Sequence, residues 1–264
     1  MNKHKVKCSL AGGLGNYLFQ IATTYAVAYR DDKEPIVDLS DVTIVHEPIE
    51  TYFTNIFRKI NFVDNQSLIF ENFFWAPPIE YVEIPKFDLN TKLIGYFQNE
   101  KFFKKIKTEI INLFEVDEST SNLLNKKYND ILEKDTCSIH IRRGNYLDRQ
   151  NYHPVLSLDY YKKAINIIGT EKHFLIFSND INWCKENLEF IENKTFIENN
   201  KDFEDLYLMT MCNHNIIANS SFSWWGAWLN KTINKTVIHP AIWFGPSFSY
   251  YDTSGISCEN WIKI

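Results

Sequence analysis

An α/β fold of two Rossmann-like halves, the second a regular parallel sheet flanked by helices, is the architecture the sequence predicts. Three observations carry it. Near the amino terminus a short strand runs into a glycine turn and then a helix. From residue 137 to residue 239, strands alternate with helices at the spacing of βαβ units. Between these regular stretches lies a charged, Asn-rich segment, Asn125 to Asp135, after which the rhythm changes.

The elements follow in chain order. Lys5 to Leu10 reads as a strand, Ala11-Gly12-Gly13-Leu14-Gly15-Asn16 as a turn, and Tyr17 to Tyr29 as a helix with apolar residues at its spacing. Glycines let backbone approach a ligand, and a helix start presents unpaired N–H groups. The dinucleotide fingerprint is incomplete, because Tyr17 and Leu18 follow where its third glycine belongs, so ligand loop and plain tight turn both stand. Pro35 to Leu39 is the next strand, parallel to the first if the crossover is ordinary. From Ser40 to about Ile84 the chain loosens into aromatic-rich loops punctuated by Pro77 and Pro78, with no readable strands. Leu93 to Phe97 reads as a strand, and Glu100 to Phe114 and Glu118 to Leu132 as amphipathic helices. The predicted domains are residues 1–130 and 131–264.

The second half is more regular. Strands are expected at Cys137–Ile141, His173–Phe177, Thr195–Glu198, Asn215–Ala218 and Thr236–His239. Helices are expected at Leu158–Ile168, Ile181–Asn187, Phe203–Cys212 and Phe222–Leu229. Such a sheet keeps its ligand crevice outside the carboxyl ends of its strands. Three polar segments occupy those ends: Arg142-Arg143-Gly144-Asn145, Ser178-Asn179-Asp180 and Asn219-Ser220-Ser221. Two guanidinium groups beside a helix start suit an anion with several oxygens, above all a diphosphate. The competing readings are an Arg pair bound to nearby carboxylates and serines that only cap a helix.

Composition narrows the function. At 264 residues with 45% hydrophobic and 23% charged, the chain is that of a globular protein with a sizeable core. A net charge of −5 gives no footprint for nucleic acid. No apolar run approaches the length of a membrane span, and the first residues lack a secretory h-region. Five scattered cysteines with no CxxC pair point to reduced thiols in a cytoplasm and away from zinc. Aromatics at 16% fit a dense core or sugar stacking, and for Trp224, Trp225 and Trp228 helical spacing favours the core. His46, His173, His214 and His239 read as packing or surface histidines.

Four motifs taken together resemble the bacterial α-1,2-fucosyltransferases. They are Gly12-Gly13-Leu14-Gly15-Asn16 with Phe19-Gln20, His140-Ile141-Arg142-Arg143-Gly144-Asn145-Tyr146, Phe177-Ser178-Asn179-Asp180 with Trp183, and Ile217 to Leu229. The resemblance implies a GT-B-like arrangement, with GDP-fucose held by the second domain and the acceptor largely by the first. It also implies inversion at the anomeric carbon, no cofactor and no metal; the absence of an Asp-x-Asp triplet agrees. The acceptor it implies is a galactose 2-hydroxyl on an oligosaccharide or O-antigen precursor, with the enzyme peripheral at a membrane if that precursor is lipid-linked.

Carried onto this chain, the resemblance makes His140, Arg142, Arg143, Asp205, Asn219, Ser220, Ser221 and Phe222 the expected donor-binding set. Arg142, Asn16 and Asp148 are the expected catalytic residues. Arg142 and Arg143 would neutralise the departing diphosphate. Asp205, with Asp202 as fallback, would accept from the guanine edge, although first-turn dipole compensation explains an aspartate there equally well. The family usually carries aspartate where this chain has Asn145. An amide cannot act as general base, leaving Asp148 and His153 as the nearest substitutes in the chain. Asn145 also keeps open a catalytically weak or inactive member that only binds its ligands, and a transferase using another nucleotide sugar stays open as well.

Overall fold

The computed structural model describes residues 3–44, 47–64, 67–77 and 79–264, so His46 and Pro78 lie outside the described residues. The chain divides into two compact units, Met1–Asp117 with Tyr251–Ile256, and Glu118–Tyr250 with Ser257–Ile264. Among the described residues no helix is long and apolar enough to cross a membrane.

The first unit contains strands β1 (Lys5–Cys8), β2 (Leu10–Gly12), β3 (Glu34–Pro35), β4 (Val37–Asp38), β5 (Val42–Ile44), β6 (Phe62–Val63), β7 (Asn72–Trp75) and β8 (Thr91–Ile94). Its α-helices are α1 (Leu14–Arg30) and α2 (Lys107–Leu113). A parallel sheet runs in the order β3-β1-β8-β7, while β2 pairs with β5 and β4 with β6. The glycine turn works through close approach: Gly12 has φ +98°, and a Cβ there would lie 2.2 Å from the Asn16 amide nitrogen. Gln20 is buried in α1 and stitches the turn together, accepting from the Ala11 N–H and donating to the Gly95 carbonyl.

Several expectations change here. The strand foreseen over Lys5–Leu10 divides into β1 and β2, α1 begins at Leu14 inside the expected turn, the strand foreseen over Pro35–Leu39 divides into β3 and β4, and the strand foreseen over Leu93–Phe97 runs instead as β8. The helix foreseen over Glu100–Phe114 is broken into 3₁₀ turns at Glu100–Phe102 and Lys104–Ile106 before α2. Adjacent Phe102 and Phe103 are both buried, whereas successive side chains on a regular helix diverge by about 100°. Within the stretch that shows no strand pattern lie β5, β6 and β7, the last an edge strand that leaves Phe73 and Trp75 exposed on one face.

The second unit opens with α3 (Glu118–Leu132) and continues β9 (Thr136–Ile141), α4 (Leu158–Ile168), β10 (His173–Ser178), α5 (Ile181–Asn187), β11 (Lys194–Phe196), α6 (Asp202–Met211), β12 (His214–Ile216), α7 (Ser221–Leu229), β13 (Val237–His239) and β14 (Ile262–Lys263). The line drawn from sequence at 130/131 and the division at Asp117/Glu118 differ by one helix. Leu124 and Tyr128 of α3 pack with Leu175, Phe177 and Leu208, which ties that helix to the second unit.

All six strands are parallel, in the order β11-β10-β9-β12-β13-β14. Counted within the unit, that is the doubly wound order 3-2-1-4-5-6. The pleat sorts β9 between two cores. Cys137, Ile139 and Ile141 join Tyr161 and Ala164 of α4 and Cys184 of α5, while the alternate residues Ser138 and His140 point away from that cluster. Trp224, Trp225 and Trp228 are all buried in α7, as core residues rather than a sugar platform.

Candidate functional site

A doubly wound sheet binds its ligand where the strand order reverses, outside the carboxyl ends of the strands. Here the reversal lies between β9 and β12, which are hydrogen-bonded neighbours with Ile139 opposite Ile216. Arg142 and Arg143 leave the end of β9, and Ser220 and Ser221 open α7 just after β12. Topology therefore brings together the two polar segments that the sequence sets some 75 residues apart.

The two arginines have different partners. The Arg143 Nε donates to the Asp180 carboxylate at 3.0 Å, and the guanidinium lies 3.8 Å from the Trp183 ring centre. Its backbone N–H donates to Asn179 Oδ1 at 2.9 Å. Gly144 follows with φ +44°, and a Cβ there would lie 2.0 Å from the Asn179 amide nitrogen, so glycine lets Asn179 close over the turn. Arg142 has only neutral partners: its Nη2 donates to Asn145 Oδ1 at 2.7 Å, and its guanidinium sits 5.0 Å from the Tyr146 ring centre. Among the described residues no carboxylate pairs with it. Arg143 thus has a carboxylate partner, and Arg142 has none among the described residues.

Asn145 holds Arg142 through an amide oxygen, a task for which a carboxylate is not required. Tyr146 crosses the switch point, donating from its hydroxyl to the Asn219 carbonyl at 3.2 Å. The Asn219 amide donates to the carbonyls of Pro154 and Trp243, while its own Oδ1 is buried with no hydrogen-bond partner. Ser220 is the N-cap of α7 but its side chain makes no capping bond. The first-turn N–H groups of this nine-residue helix, including those of Ser221 and Phe222, are thus not consumed by the cap.

His140 is 5% exposed, its ring 5.6 Å from that of Phe222 and its Nδ1 buried without a partner. Burial, assisted by the Arg142 charge, pushes its pKa down to about 3. The imidazole is therefore neutral at physiological pH, and can exchange hydrogen bonds without adding charge.

Asp205 lies in the first turn of α6, which starts at the same carboxyl edge of the sheet. It accepts from the Asn200 amide at 2.9 Å, and Asn200 accepts from Lys127 and Tyr128. Burial first, then the nearby negative charges of Asp202 and Glu204, raise its pKa to about 7 against the pull of Asn200 and Lys127. Hydrogen bonding from N–H donors favours the ionised form of such a raised carboxyl.

The remaining expected residues are Asp148 and Asn16. Asp148 is exposed on the loop after Tyr146. Asn16 belongs to the first unit, where its Oδ1 accepts from Gln98 at 2.8 Å. Sequence reasoning did not foresee how Asp180 and Trp183 hold Arg143, although their spacing, the N-cap of α5 and the third residue of that helix, was the available signal. Among the described residues, no group of three or more His, Cys, Asp or Glu is placed to hold a metal ion. A cavity of about 400 Å³ in the first unit, lined by Tyr25, Tyr29, Ile110 and Leu113 among others, includes none of the expected site residues.

Comparison with known proteins adds the family. The sequence pattern of glycosyl transferase family 11 matches residues 2–264. The chain is 30% identical to the O-antigen biosynthesis glycosyltransferase WbnK of Escherichia coli, over 97% of this chain and 99% of that protein. It is also 30% identical to an alpha-1,2-colitosyltransferase of Escherichia coli, over 98% of both. Among solved structures it resembles the NodZ alpha-1,6-fucosyltransferase soaked with GDP-fucose, with a TM-score of 0.56 and 11% identity over 87% of this chain and 93% of that one. That likeness identifies the fold as GT-B-like.

Proposed function

The chain belongs to glycosyl transferase family 11, and from that premise we propose that it is an inverting, metal-independent α-1,2-fucosyltransferase. It moves fucose from GDP-fucose to the 2-hydroxyl of a galactose in an oligosaccharide or O-antigen precursor. The observation that carries this reading is Arg142, a cation with no carboxylate partner among the described residues, at the switch point beside the uncapped start of α7.

In this reading the acceptor hydroxyl attacks the anomeric carbon while the bond to the β-phosphate oxygen breaks, and the departing electron pair resides on GDP. Arg142 and the α7 N–H groups at Ser221 and Phe222 stabilise that growing charge. Arg143, tied to Asp180, fixes the turn from which Arg142 projects. His140 and Asn219 supply neutral hydrogen-bonding groups to the nucleotide, Ser220 offers a hydroxyl, and Asp205 accepts from the guanine edge. Asp148 takes the acceptor proton, which becomes acidic as the new bond forms. Asn16 completes the proposed catalytic set. The buried thiols of Cys8, Cys137, Cys184 and Cys212, none of them in a disulfide, suit a cytoplasmic enzyme.

Incubation with GDP-fucose and lactose tests the reading: a fucosylated product with GDP released supports it. Binding of GDP without product would leave a binding member of the family, and stabilisation by UDP rather than GDP would indicate another nucleotide sugar. Similarity to the colitosyltransferase favours a second reading in which colitose is the transferred sugar. Direct competition of the two GDP-linked donors distinguishes it.

A further inference from the structure

We propose that His153 is a positioning residue for Arg142, acting through the ring of Tyr146. The proposal rests on Arg142 binding the donor diphosphate. A diphosphate-binding arginine must be held in place, yet a carboxylate that held it would also cancel the charge the ligand needs. Stacking against an uncharged ring fixes a guanidinium and leaves its charge available.

The structure contains such a relay. The Arg142 guanidinium lies 5.0 Å from the Tyr146 ring centre, and the His153 imidazole lies 4.9 Å from the same ring at an interplanar angle of 20°. Tyr146 cannot slide freely, since its hydroxyl donates to the Asn219 carbonyl and its backbone N–H to the Arg143 carbonyl. His153 is backed by Phe244 at 5.6 Å and Phe248 at 6.1 Å. The segment carrying those phenylalanines is clamped onto the loop carrying His153: the Gly245 N–H donates to the Tyr152 carbonyl and the Ser247 N–H to the Asn151 carbonyl. At Gly245 a Cβ would lie 2.4 Å from the Gln150 carbonyl oxygen, so the two segments meet backbone to backbone. Burial, with the charges of Arg149 and Arg142, holds the His153 pKa below its usual value and keeps the stacked ring neutral. The line of contact runs from the 244–248 segment through His153 and Tyr146 to Arg142.

A residue that only packs its loop weakens the protein alike whether or not Arg142 is present, whereas a positioning residue loses its effect once Arg142 is gone. The test is a double-mutant cycle read by GDP and inorganic pyrophosphate affinity, with thermal melts as a folding control. His153→Ala is expected to weaken binding of both about tenfold, and His153→Phe, which keeps a flat ring, to bring it back to within about threefold of the wild type. In an Arg142→Ala background, His153→Ala should add no further loss. Equal losses in the two backgrounds, or His153→Phe as weak as His153→Ala, would overturn the positioning role while leaving the transferase reading intact. A wild-type protein that binds neither GDP nor pyrophosphate would remove both.

Discussion

Alanine at position 142 separates charge from fold. In the structure, Arg142 touches an amide oxygen and an aromatic face, and its removal leaves no carboxylate stranded. The hydrogen bond contributes about 1 kcal/mol and the cation–π contact about 0.5–1 kcal/mol, so Arg142→Ala should lower Tm by only a few degrees. The ligand side is costlier. Charge-assisted bonds to a diphosphate are worth about 1.5–3 kcal/mol each, and a forked contact makes two, so GDP affinity should fall by at least about a hundredfold. Turnover, measured as acceptor-dependent GDP release, should drop by a further factor of order 10²–10³, because a donor aimed at the leaving-group charge is gone. Arg143→Ala should show the opposite balance. It strands Asp180 and uncovers Trp183 in a pair whose side chains are 15% and 30% exposed, and should depress Tm more than Arg142→Ala does. Near-normal GDP binding by Arg142→Ala, or a smaller Tm loss for Arg143→Ala, would refute this division of roles.

Other consequences are equally open to measurement. Gly144→Ala forces a side chain into a left-handed turn and against Asn179, and should destabilise the fold by about 1–3 kcal/mol, read as a lowered denaturation midpoint. Asn145→Ala removes one neutral anchor of Arg142 and should weaken GDP binding several-fold without altering the pH profile, since no titrating group is lost; a changed acid limb would count against the anchoring role. Asp205 titrates near 7 when folded but near 3.8 when exposed, so between those values the folded chain holds the extra proton and stability falls as pH rises. Asp205→Asn should therefore gain in Tm relative to wild type between pH 5 and pH 8. If the carboxylate reads guanine, GDP affinity should rise through pH 7 in the wild type and stay flat in the variant.

The second unit was legible because its buried strands and one-sided helices alternate without interruption, and most element ends fall within two residues of expectation. Helices α4 and α5 coincide with their expected spans. The final strand β14 escaped notice because two residues carry no period; only pairing with β13 defines it. In the first unit, β7 presents aromatics to solvent from an edge, so its pattern resembles neither a buried strand nor a half-buried one. At the site, sequence order showed which residues stand at strand ends, but not that Arg143 pairs with Asp180 while Arg142 turns to Asn145 and Tyr146. That distinction depends on where α5 begins relative to the end of β9, a tertiary fact with no local trace.

The most direct measurement is a crystal structure of the protein with GDP. Phosphate oxygens within hydrogen-bonding distance of the Arg142 guanidinium and of the first N–H groups of α7 are the expected result. GDP bound elsewhere, with Arg142 still turned only to Asn145 and Tyr146, would contradict the account.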